Sequence, residues 1–374
     1  MKRLQTYVLS LMFLSLLTVS SRAQTVYQSK HHSFQLQTIL TQLSYPWGMC
    51  FLPNGELLIT EKSGSLKRLS KNGTKLSLIS GVPKNLKVIG QGGLLDVVLD
   101  PQFSQNGWLY LSYSGSGKGG VSTEVVRARL QGSRLTEMRT IFVQKPKLSG
   151  GYHFGSRLAF MPDGTLLISM GDRGRMKMAQ NPLNHVGTIV RIHPDGRIPK
   201  TNPFYGKPQL ALESVYTYGN RNVQGLAIRP KDGAVWAHEH GPKGGDELNR
   251  IRPGVNYGWP SITYGINYNG RPISTATRAP GMAQPSVYWD PSIAPCGMSF
   301  YQGSLFPKWQ GDIFLGALAK KHLRRLRLQG NRVTEEEVLL QGIGRVRDVE
   351  VGPDGALYLL LDSRNGRLIK LIPK

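Results

Sequence analysis

The stretch that indicates the fold most directly is FMPDGTLLISMGD, at residues 160–172: a proline, an Asp-Gly pair and then an apolar run. Proline fixes φ, and the glycine supplies the positive φ that a hairpin turn needs before the next strand. Related stretches recur along the chain: FLPNGELLIT (51–60), LDPQFSQNGWLYLSY (99–113), IRPKDGAVWAHEHG (228–241), VGPDGALYLLLD (351–362) and, more loosely, SLFPKWQGDIFLGAL (304–318).

The six prolines that lead these turns run from Pro53 to Pro353 and are on average 60 residues apart. Evenly spaced repeats of this size, each a tight turn in front of an apolar run, are typical of propeller blades. We therefore predict an all-β, six-bladed β-propeller formed by a single domain over residues 24–374. A set of unrelated β-hairpins is the alternative, and the shared order of residues in the copies argues against it.

The first 23 residues have the pattern of a secretory signal peptide. Lys2 and Arg3 precede an apolar stretch over residues 7–19, and Ala23 ends the segment as a small residue. This stretch is too short and wrongly flanked for a membrane span, and we find no later apolar stretch that is long enough. We therefore expect an exported protein, periplasmic or secreted, with no transmembrane segment.

The charge balance is strongly basic, with 47 Lys and Arg against 23 Asp and Glu, a net charge of +24. An excess of this size suggests an anionic ligand or association with an anionic surface. The basic residues are scattered and no nucleic-acid-reading motif accompanies them, so we expect no nucleic-acid partner. For the oligomeric state we expect a monomer or a weak dimer.

The two cysteines do not form a disulfide framework. Cys50 lies in an apolar strand and is expected to be a small core residue. Cys296 lies in a loop flanked by prolines and could be exposed. The sequence leaves open whether the two pair.

Residues 150–160, GGYHFGSRLAF, place His153 among glycines, where the backbone can approach a ligand. Histidine is the natural general base near neutral pH. The alternative is a structural or merely exposed histidine, and the flanking glycines together with Arg157 argue against it.

Two further segments offer guanidinium groups. Arg221, Asn222 and Gln224 combine a guanidinium fork with two amides, a set suited to carboxylates or to a carbonyl that gains negative charge. A loop salt bridge would use Arg221 alone. Arg345 and Arg347 lie on the same side if the segment is extended, and they repel each other unless an anion lies between them. An edge-strand charge pair is the alternative for these two.

The run HGPKGGDE, residues 240–247, combines backbone carbonyls with the carboxylates of Asp246 and Glu247, which suits a hard cation such as Ca²⁺. It lacks the EF-hand spacing. A solvated glycine-rich turn is the alternative.

Taken in order, these segments resemble the soluble pyrroloquinoline quinone (PQQ)-dependent aldose sugar dehydrogenases, periplasmic enzymes related to soluble quinoprotein glucose dehydrogenase. The resemblance runs from about residue 45 to residue 374, and the family is a six-bladed β-propeller. The motifs that carry it are PWGMCFLPNGELLITEKSG (46–64), GQGGLLDVVLDPQF (90–103), HFGSRLAF (153–160), GNRNVQGLA (219–227), HEHGPKGGDELN (238–249), NYGWP (256–260) and RVRDV (345–349).

The resemblance implies a reaction in which hydride passes from C1 of an aldose to PQQ, giving a lactone. His153 is similar to the base that takes the proton from the anomeric hydroxyl. Gln91 resembles a glutamine beside the sugar and the quinone, and Arg221 an arginine that stabilises the reduced cofactor. Further cofactor contacts are implied at Asn222, Arg345, Arg347 and Ser292.

For the metal, the resemblance implies that the carbonyls of Gly241 and Pro242 coordinate the Ca²⁺ that binds PQQ. Glu247 and the Tyr257 carbonyl resemble a second, structural Ca²⁺ site. One departure is Ala319, which stands where the family has a lysine that contacts PQQ. We expect Lys320 to point to the opposite face of a strand, unless a one-residue shift restores the contact.

The leading hypothesis from sequence is therefore an exported PQQ- and Ca²⁺-dependent aldose dehydrogenase. It would use an external electron acceptor, because the chain has no Cys-x-x-Cys-His haem attachment motif. One rival is a propeller that binds sugars or surfaces without catalysis, which the Ala319 departure favours. Another is a Ca²⁺-dependent lactonase, which needs carboxylates converging on the metal at the mouth of the channel.

Overall fold

The computed structural model describes residues 25–374, which form six antiparallel β-sheets arranged in a ring. The predicted six-bladed β-propeller is thus confirmed. The predicted signal peptide, residues 1–23, lies outside the described residues. Across residues 25–374 the α-helical content is one short helix, α1 (Phe103–Asn106), and no helix has the length and apolar character to cross a membrane.

The strands follow one another along the chain as β1 (Val26–Gln28), β2 (Ser33–Leu43), β3 (Pro46–Phe51), β4 (Leu57–Glu61), β5 (Leu66–Leu69), β6 (Leu76–Ile79), β7 (Leu94–Leu99), β8 (Trp108–Gly117), β9 (Gly120–Gln131), β10 (Arg134–Val143), β11 (Leu158–Phe160), β12 (Leu166–Ser169), β13 (Thr188–Ile192), β14 (Val215–Tyr218), β15 (Val223–Ile228), β16 (Val235–Glu239), β17 (Asp246–Ile251), β18 (Val287–Trp289), β19 (Pro295–Phe300), β20 (Ile313–Ala317), β21 (His322–Gln329), β22 (Arg332–Leu339), β23 (Val346–Val351), β24 (Leu357–Leu361) and β25 (Gly366–Pro373). Two 3₁₀ helices, Met176–Gln180 and Pro307–Trp309, lie in loops.

Each blade is a meander of consecutive strands. Blades 1 to 5 are β3–β6, β7–β10, β11–β14, β15–β18 and β19–β22, and blade 6 has the order β1-β2-β25-β24-β23. The first strand of each blade contacts the first strand of the next blade around the ring, and β23 contacts β3 to close it. The first strands therefore line the central channel.

The recurrent proline-led stretches are the turns between the first and second strands of the six blades. Their acidic or amide residue accepts a hydrogen bond from the backbone N–H two positions on, which tightens the turn as an Asx turn. The residues that do this, in five of the six turns, are Asn54 (3.0 Å), Asn106 (2.9 Å), Asp163 (3.0 Å), Asp232 (3.1 Å) and Asp354 (3.2 Å). Since all these turns lie at the exit of a first strand, the six entries to the first strands gather at the opposite end of the channel.

The ring is closed by strand β2, which comes from the N-terminal part of the chain and pairs with β25 at its C-terminal end. The register runs from Phe34 opposite Pro373 to Leu43 opposite Gly366. Phe34 is fully buried in an aromatic cluster with Phe306 and Trp309 of blade 5. The two ends of the described chain therefore hold the propeller together.

The two cysteines are both free. Cys50 lies in β3, as predicted, and is half-buried against the core between blades 1 and 2. The expectation that Cys296 could be exposed in a loop is wrong. Cys296 lies in β19 and is fully buried, because the Pro295–Cys296 segment begins a first strand on the channel.

Candidate active site

A cavity of about 530 Å³ opens at the end of the channel where the chain enters the first strand of each blade. Every blade contributes to its wall. The lining residues include Tyr45, Trp47, Lys62, Gln91, Phe154, Asn222, Gln224, His240, Ala294, Leu318, Arg345, Arg347, Asp362 and Arg364. Four of the six residues that sequence analysis assigned to the cofactor, namely Gln91, Asn222, Arg345 and Arg347, line this cavity together.

His153 is the candidate base, and its ring is held by a carboxylate. Its Nδ1 lies 2.6 Å from Oδ1 of Asp172, and Oδ2 of Asp172 accepts a hydrogen bond of 2.8 Å from the indole of Trp259. Burial alone raises the pKa of the Asp172 carboxyl, but the hydrogen bond to His153 and the charge of Arg221 bring it below its ordinary value. The ionised carboxylate therefore keeps a proton on Nδ1 of His153 and leaves Nε2 free to accept one.

Gln91 is tied to the same histidine. Its side-chain Oε1 accepts a hydrogen bond of 2.9 Å from the backbone N–H of His153. Behind them the backbone is tightly packed, since a Cβ on Gly171 would lie 2.0 Å from the His153 carbonyl oxygen and 3.0 Å from Oδ1 of Asn222. Only glycine lets blades 3 and 4 approach closely enough to bring Gln91, His153 and Asn222 to one mouth.

Arg221 lies at the start of blade 4, next to the His153 pair. Its Nη1 donates to the carbonyls of His240 (3.0 Å) and Gly241 (2.7 Å), and its guanidinium lies over the ring of Trp259. Its backbone N–H donates to the carboxylate of Glu239. Arg221 thus connects the histidine side of the mouth to the glycine-rich turn that was predicted to bind metal.

Arg345 and Arg347 lie on the same side of the chain, as predicted, and the anion between them belongs to the protein. Oδ2 of Asp362 accepts from Arg345 Nη2 (3.1 Å) and from Arg347 Nη2 (3.0 Å). Arg347 is the more buried of the two, with 13% of its side chain exposed against 45% for Arg345. The shared carboxylate neutralises one of the two charges and leaves a net positive wall on the cavity.

A second, smaller cavity lies beside the first and is lined by Glu239, Gly241, Glu247 and Tyr257, among others. Glu239 and Glu247 are directly opposite each other on β16 and β17. Burial raises the pKa of Glu239 to about 7. Burial and the charge of Glu239 raise the pKa of Glu247 to about 8. Like charges at a buried cross-strand position destabilise a sheet, so this pair suits a cation.

Three further residues in or near the glycine-rich turn were predicted to contact the metal or the cofactor, namely Pro242, Asp246 and Ser292. Pro242 follows Gly241 in the same buried turn. The Asp246 carboxylate is occupied by the backbone N–H groups of Gly241, Ile293 and Ala294. The Ser292 hydroxyl also donates to Asp246, at 2.8 Å. Ser292 therefore fixes the loop before β19, and a contact between it and a cofactor stays a prediction.

Residues 318–321 form the turn between β20 and β21, so the expectation that Lys320 lies on a strand is wrong. Leu318 lines the cavity and its carbonyl accepts from Arg345 at 3.3 Å. Ala319 and Lys320 are exposed in the turn. A turn has no alternating faces, so strand parity does not decide which of the two can reach the cavity.

Sequence reasoning gave no catalytic or binding role to Asp172, which holds His153, or to three further residues that the structure brings into the site. Asp362 bridges the arginines, Glu239 opposes Glu247, and Trp259 orients Asp172. Glu239 and Trp259 lie inside the quoted motifs HEHG and NYGWP, so the signal was present but had no assigned role. Asp362 ends the apolar run of the last repeat, VGPDGALYLLLD, which was used only as a signal of the fold.

Comparison with known proteins gives consistent relatives over nearly the whole chain. A family model described as glucose/sorbosone dehydrogenase matches residues 43–370. The aldose sugar dehydrogenase YliI of Escherichia coli (strain K12) is 43% identical over 346 residues, which cover 91% of this chain and 93% of that protein.

Solved structures of dehydrogenases are also similar to this chain over about nine tenths of its length. A crystal structure of a glucose dehydrogenase has a TM-score of 0.87 and 45% identity, and the match covers 90% of this chain and 99% of the other. The PQQ-bound form of an aldose sugar dehydrogenase from Streptomyces coelicolor has a TM-score of 0.74 and 28% identity, with 90% and 98% of the two chains covered.

Proposed function

Because the chain belongs to the glucose/sorbosone dehydrogenase family, we propose that it is a PQQ-dependent dehydrogenase that oxidises the C1 hydroxyl of aldose sugars to lactones. The observation that carries the proposal is that a candidate base and a positively charged cavity lie together at one end of the channel. A histidine with its Nδ1 held by a carboxylate directly precedes Phe154 and Gly155, which line the cavity together with Arg345 and Arg347.

The residues fit PQQ. The cofactor carries three carboxylates, and the cavity wall has Arg345, Arg347, Lys62 and Arg364 against the single carboxylate of Asp362. Guanidinium groups bind carboxylates through paired, charge-assisted hydrogen bonds. Asn222 and Gln224 add amides to the same lining, and Gln224 Oε1 lies 3.3 Å from Arg347 Nη1. When it is bound, PQQ supplies a quinone carbonyl that accepts the hydride from C1 of the sugar.

The residues also fit Ca²⁺. Within residues 25–374 no cluster of three or more His, Cys, Asp or Glu side chains could hold a metal ion, so a site made mainly of carboxylates is not supported. Ca²⁺ accepts carbonyl oxygens as readily as carboxylates. For the second, structural ion, Glu247 and Tyr257 line one small cavity together with Glu239, and Gly241, predicted for the ion beside PQQ, lines the same cavity. Arg221, which donates to the Gly241 carbonyl, would link this metal region to the cofactor cavity.

In this proposal His153 accepts the proton of the anomeric hydroxyl at Nε2 while the hydride leaves C1. Asp172 keeps the other nitrogen protonated and offsets the positive charge that the ring acquires. Gln91 fixes the backbone position of His153 and presents its amide to the sugar. Arg221 holds a fixed positive charge near the place where negative charge develops on the cofactor.

The test is a titration of the protein with PQQ in excess Ca²⁺, followed by the absorbance of the cofactor and by dye reduction with a panel of aldoses. We expect saturable binding and dye reduction that depends on sugar. His153→Ala should bind PQQ but turn over at least about 10²-fold more slowly. His193→Ala, at the far end of blade 3, is the matched control and should behave as the unchanged protein.

Failure to bind at high PQQ would contradict the proposal. Sugar binding without PQQ would then favour the non-catalytic propeller, and Ca²⁺-dependent lactone hydrolysis would favour the lactonase. With the predicted signal peptide, the proposed enzyme would work in the periplasm or outside the cell and pass its electrons to an external acceptor.

A further inference from the structure

Arg157 lies on the channel axis, just before β11, and is 5% exposed. Its guanidinium contacts a residue from each of the other five blades. The contacts are the ring of Trp47 in blade 1 (4.2 Å to the centroid), Asp96 Oδ1 in blade 2 (3.3 Å), the Gln224 carbonyl in blade 4 (3.0 Å), Cys296 Sγ in blade 5 (3.8 Å), and the Arg347 carbonyl (3.0 Å) and Asp348 Oδ1 (2.9 Å) in blade 6.

These contacts join Arg157 to the wall of the cofactor cavity. Arg347 Nη1 lies 3.3 Å from Gln224 Oε1 and 3.3 Å from Cys296 Sγ. Arg157 therefore shares two partners, Gln224 and Cys296, with Arg347, and it also holds the Arg347 backbone. Arg347 and Gln224 line the cofactor cavity, whereas Arg157 lies outside that lining and donates to the backbone carbonyls of both residues.

A third cavity, of about 280 Å³, lies further along the channel. Its lining includes Asp96, Asp348 and Glu350. Among the residues of 25–374 that line it, Arg157 is the one cation. The three carboxylates of this cavity attract the guanidinium of Arg157. The same guanidinium also donates to the backbone carbonyls of Gln224 and Arg347. Arg157 therefore lies between the cofactor cavity and this third cavity.

We propose that Arg157 is a positioning residue for the cofactor: by joining all six blades at one point, it fixes Arg347 and Gln224 in the geometry that receives PQQ. The inference rests on the proposed function. Residues behind a binding site that orient its ligands typically change affinity or activity by about 10–100-fold when they are replaced. Lysine cannot replace this arginine, since one ammonium group cannot donate in the several fixed directions of a guanidinium fork.

The experiment compares two variants with two matched controls. Arg157→Lys keeps the charge but loses the fork. Asp348→Asn keeps the shape but removes the charge that contacts Arg157. The controls come from Arg325, a fully buried arginine in blade 5 that pairs with the buried Asp312. Arg325→Lys and Asp312→Asn disturb an equally buried ion pair away from the cavity.

For each protein the dissociation constant for PQQ in excess Ca²⁺ is measured by absorbance, and the melting temperature is measured without PQQ. We expect all four changes to lower the melting temperature. Arg157→Lys should also raise the dissociation constant for PQQ about 10–100-fold, and Asp348→Asn should raise it in the same direction. Both controls should leave it unchanged.

A purely structural role for Arg157 would lower the melting temperature and leave PQQ binding intact in both variants, which would overturn the inference. If Arg157→Lys does not yield folded protein, Asp348→Asn decides, because the Asp348 carboxylate contacts Arg157 and the Met49 backbone N–H but is not part of the cavity wall. Failure of the unchanged protein to bind PQQ would instead remove the proposed function, so the two failures are distinguishable.

Discussion

Nδ1 of His153 lies 2.6 Å from Oδ1 of Asp172, and the carboxylate is almost completely buried. A contact this short between an imidazole and an ionised carboxylate selects the tautomer with the proton on Nδ1. The same carboxylate is held from behind by the indole of Trp259. The histidine is thus oriented by two residues, Asp172 directly and Trp259 through Asp172.

Asp172→Asn should separate orientation from binding. The asparagine amide can donate to Nδ1, which would favour the tautomer with the proton on Nε2 and leave no acceptor for the sugar proton. We expect kcat to fall at least about 10²-fold, with an unchanged dissociation constant for PQQ. Trp259→Phe, which removes the hydrogen bond to Oδ2 and keeps a smaller aromatic ring beside Arg221, is the milder comparison. Activity close to that of the unchanged protein in Asp172→Asn would refute the role of His153 as a base held by this carboxylate.

Arg347→Ala should weaken PQQ binding more than Arg345→Ala does. Both guanidinium groups contact Asp362, but Arg347 is more buried, and charge interactions are stronger away from water. A titration with PQQ at two salt concentrations measures the difference, and the contribution of Arg345 should fall more with salt. Arg197→Ala, whose side chain is 80% exposed at the far end of blade 3, serves as control. Equal losses for the two arginines would contradict the burial argument.

Closure of the ring predicts a large stability loss at Phe34. The residue lies in β2 and is fully buried against blade 5, although blade 5 and β2 are far apart in sequence. Phe34→Ala should lower the free energy of unfolding by about 3–5 kcal/mol, since it leaves a cavity at the closing strand. Leu78→Ala, at a residue 62% exposed on the outer strand of blade 1, should change it by less than about 0.5 kcal/mol. Denaturant unfolding measures both, and similar values would argue against closure through β2.

The sequence was sufficient for the fold because five of the six blades repeat one local turn. Asn54, Asn106, Asp163, Asp232 and Asp354 all fold back on the backbone two residues on, so the turn leaves a mark in the sequence that is independent of the rest of the chain. The pairing of β2 with β25 has no such local mark. It joins residues more than 300 positions apart, and only the ring geometry brings them together.

Site residues could be predicted from the sequence where the residue type alone suggests its chemistry. They could not be predicted where the role of a residue depends on which side chains the fold brings next to it. His153, Arg345 and Arg347 were found because imidazole and paired guanidinium groups stand out. Asp362 was missed, since an acidic residue at the end of a strand is ordinary until the fold puts it between two arginines. Cys296 was misjudged for the same reason, as its burial depends on six blades meeting at the channel.

The pair of Glu239 and Glu247 predicts that calcium stabilisation depends on pH. The pKa of Glu239 is raised to about 7 and that of Glu247 to about 8 in the folded protein, against an ordinary value of 4.5. Between pH 4.5 and pH 8 the metal-free folded state therefore keeps protons that the unfolded chain has released. Stability of the metal-free protein should fall as pH rises through this window.

Calcium reverses this dependence, because a cation binds the ionised carboxylates and removes their mutual repulsion. We expect the rise in melting temperature with excess Ca²⁺ to be larger at pH 8 than at pH 5.5. Glu247→Gln should abolish most of the rise at pH 8 and flatten the pH dependence of the metal-free protein. Glu137→Gln, at an exposed carboxylate of β10, should leave both unchanged. A calcium effect that persists in Glu247→Gln would show that the ion binds elsewhere, whereas one that is equal at both pH values would show that the two carboxylates are already ionised without it.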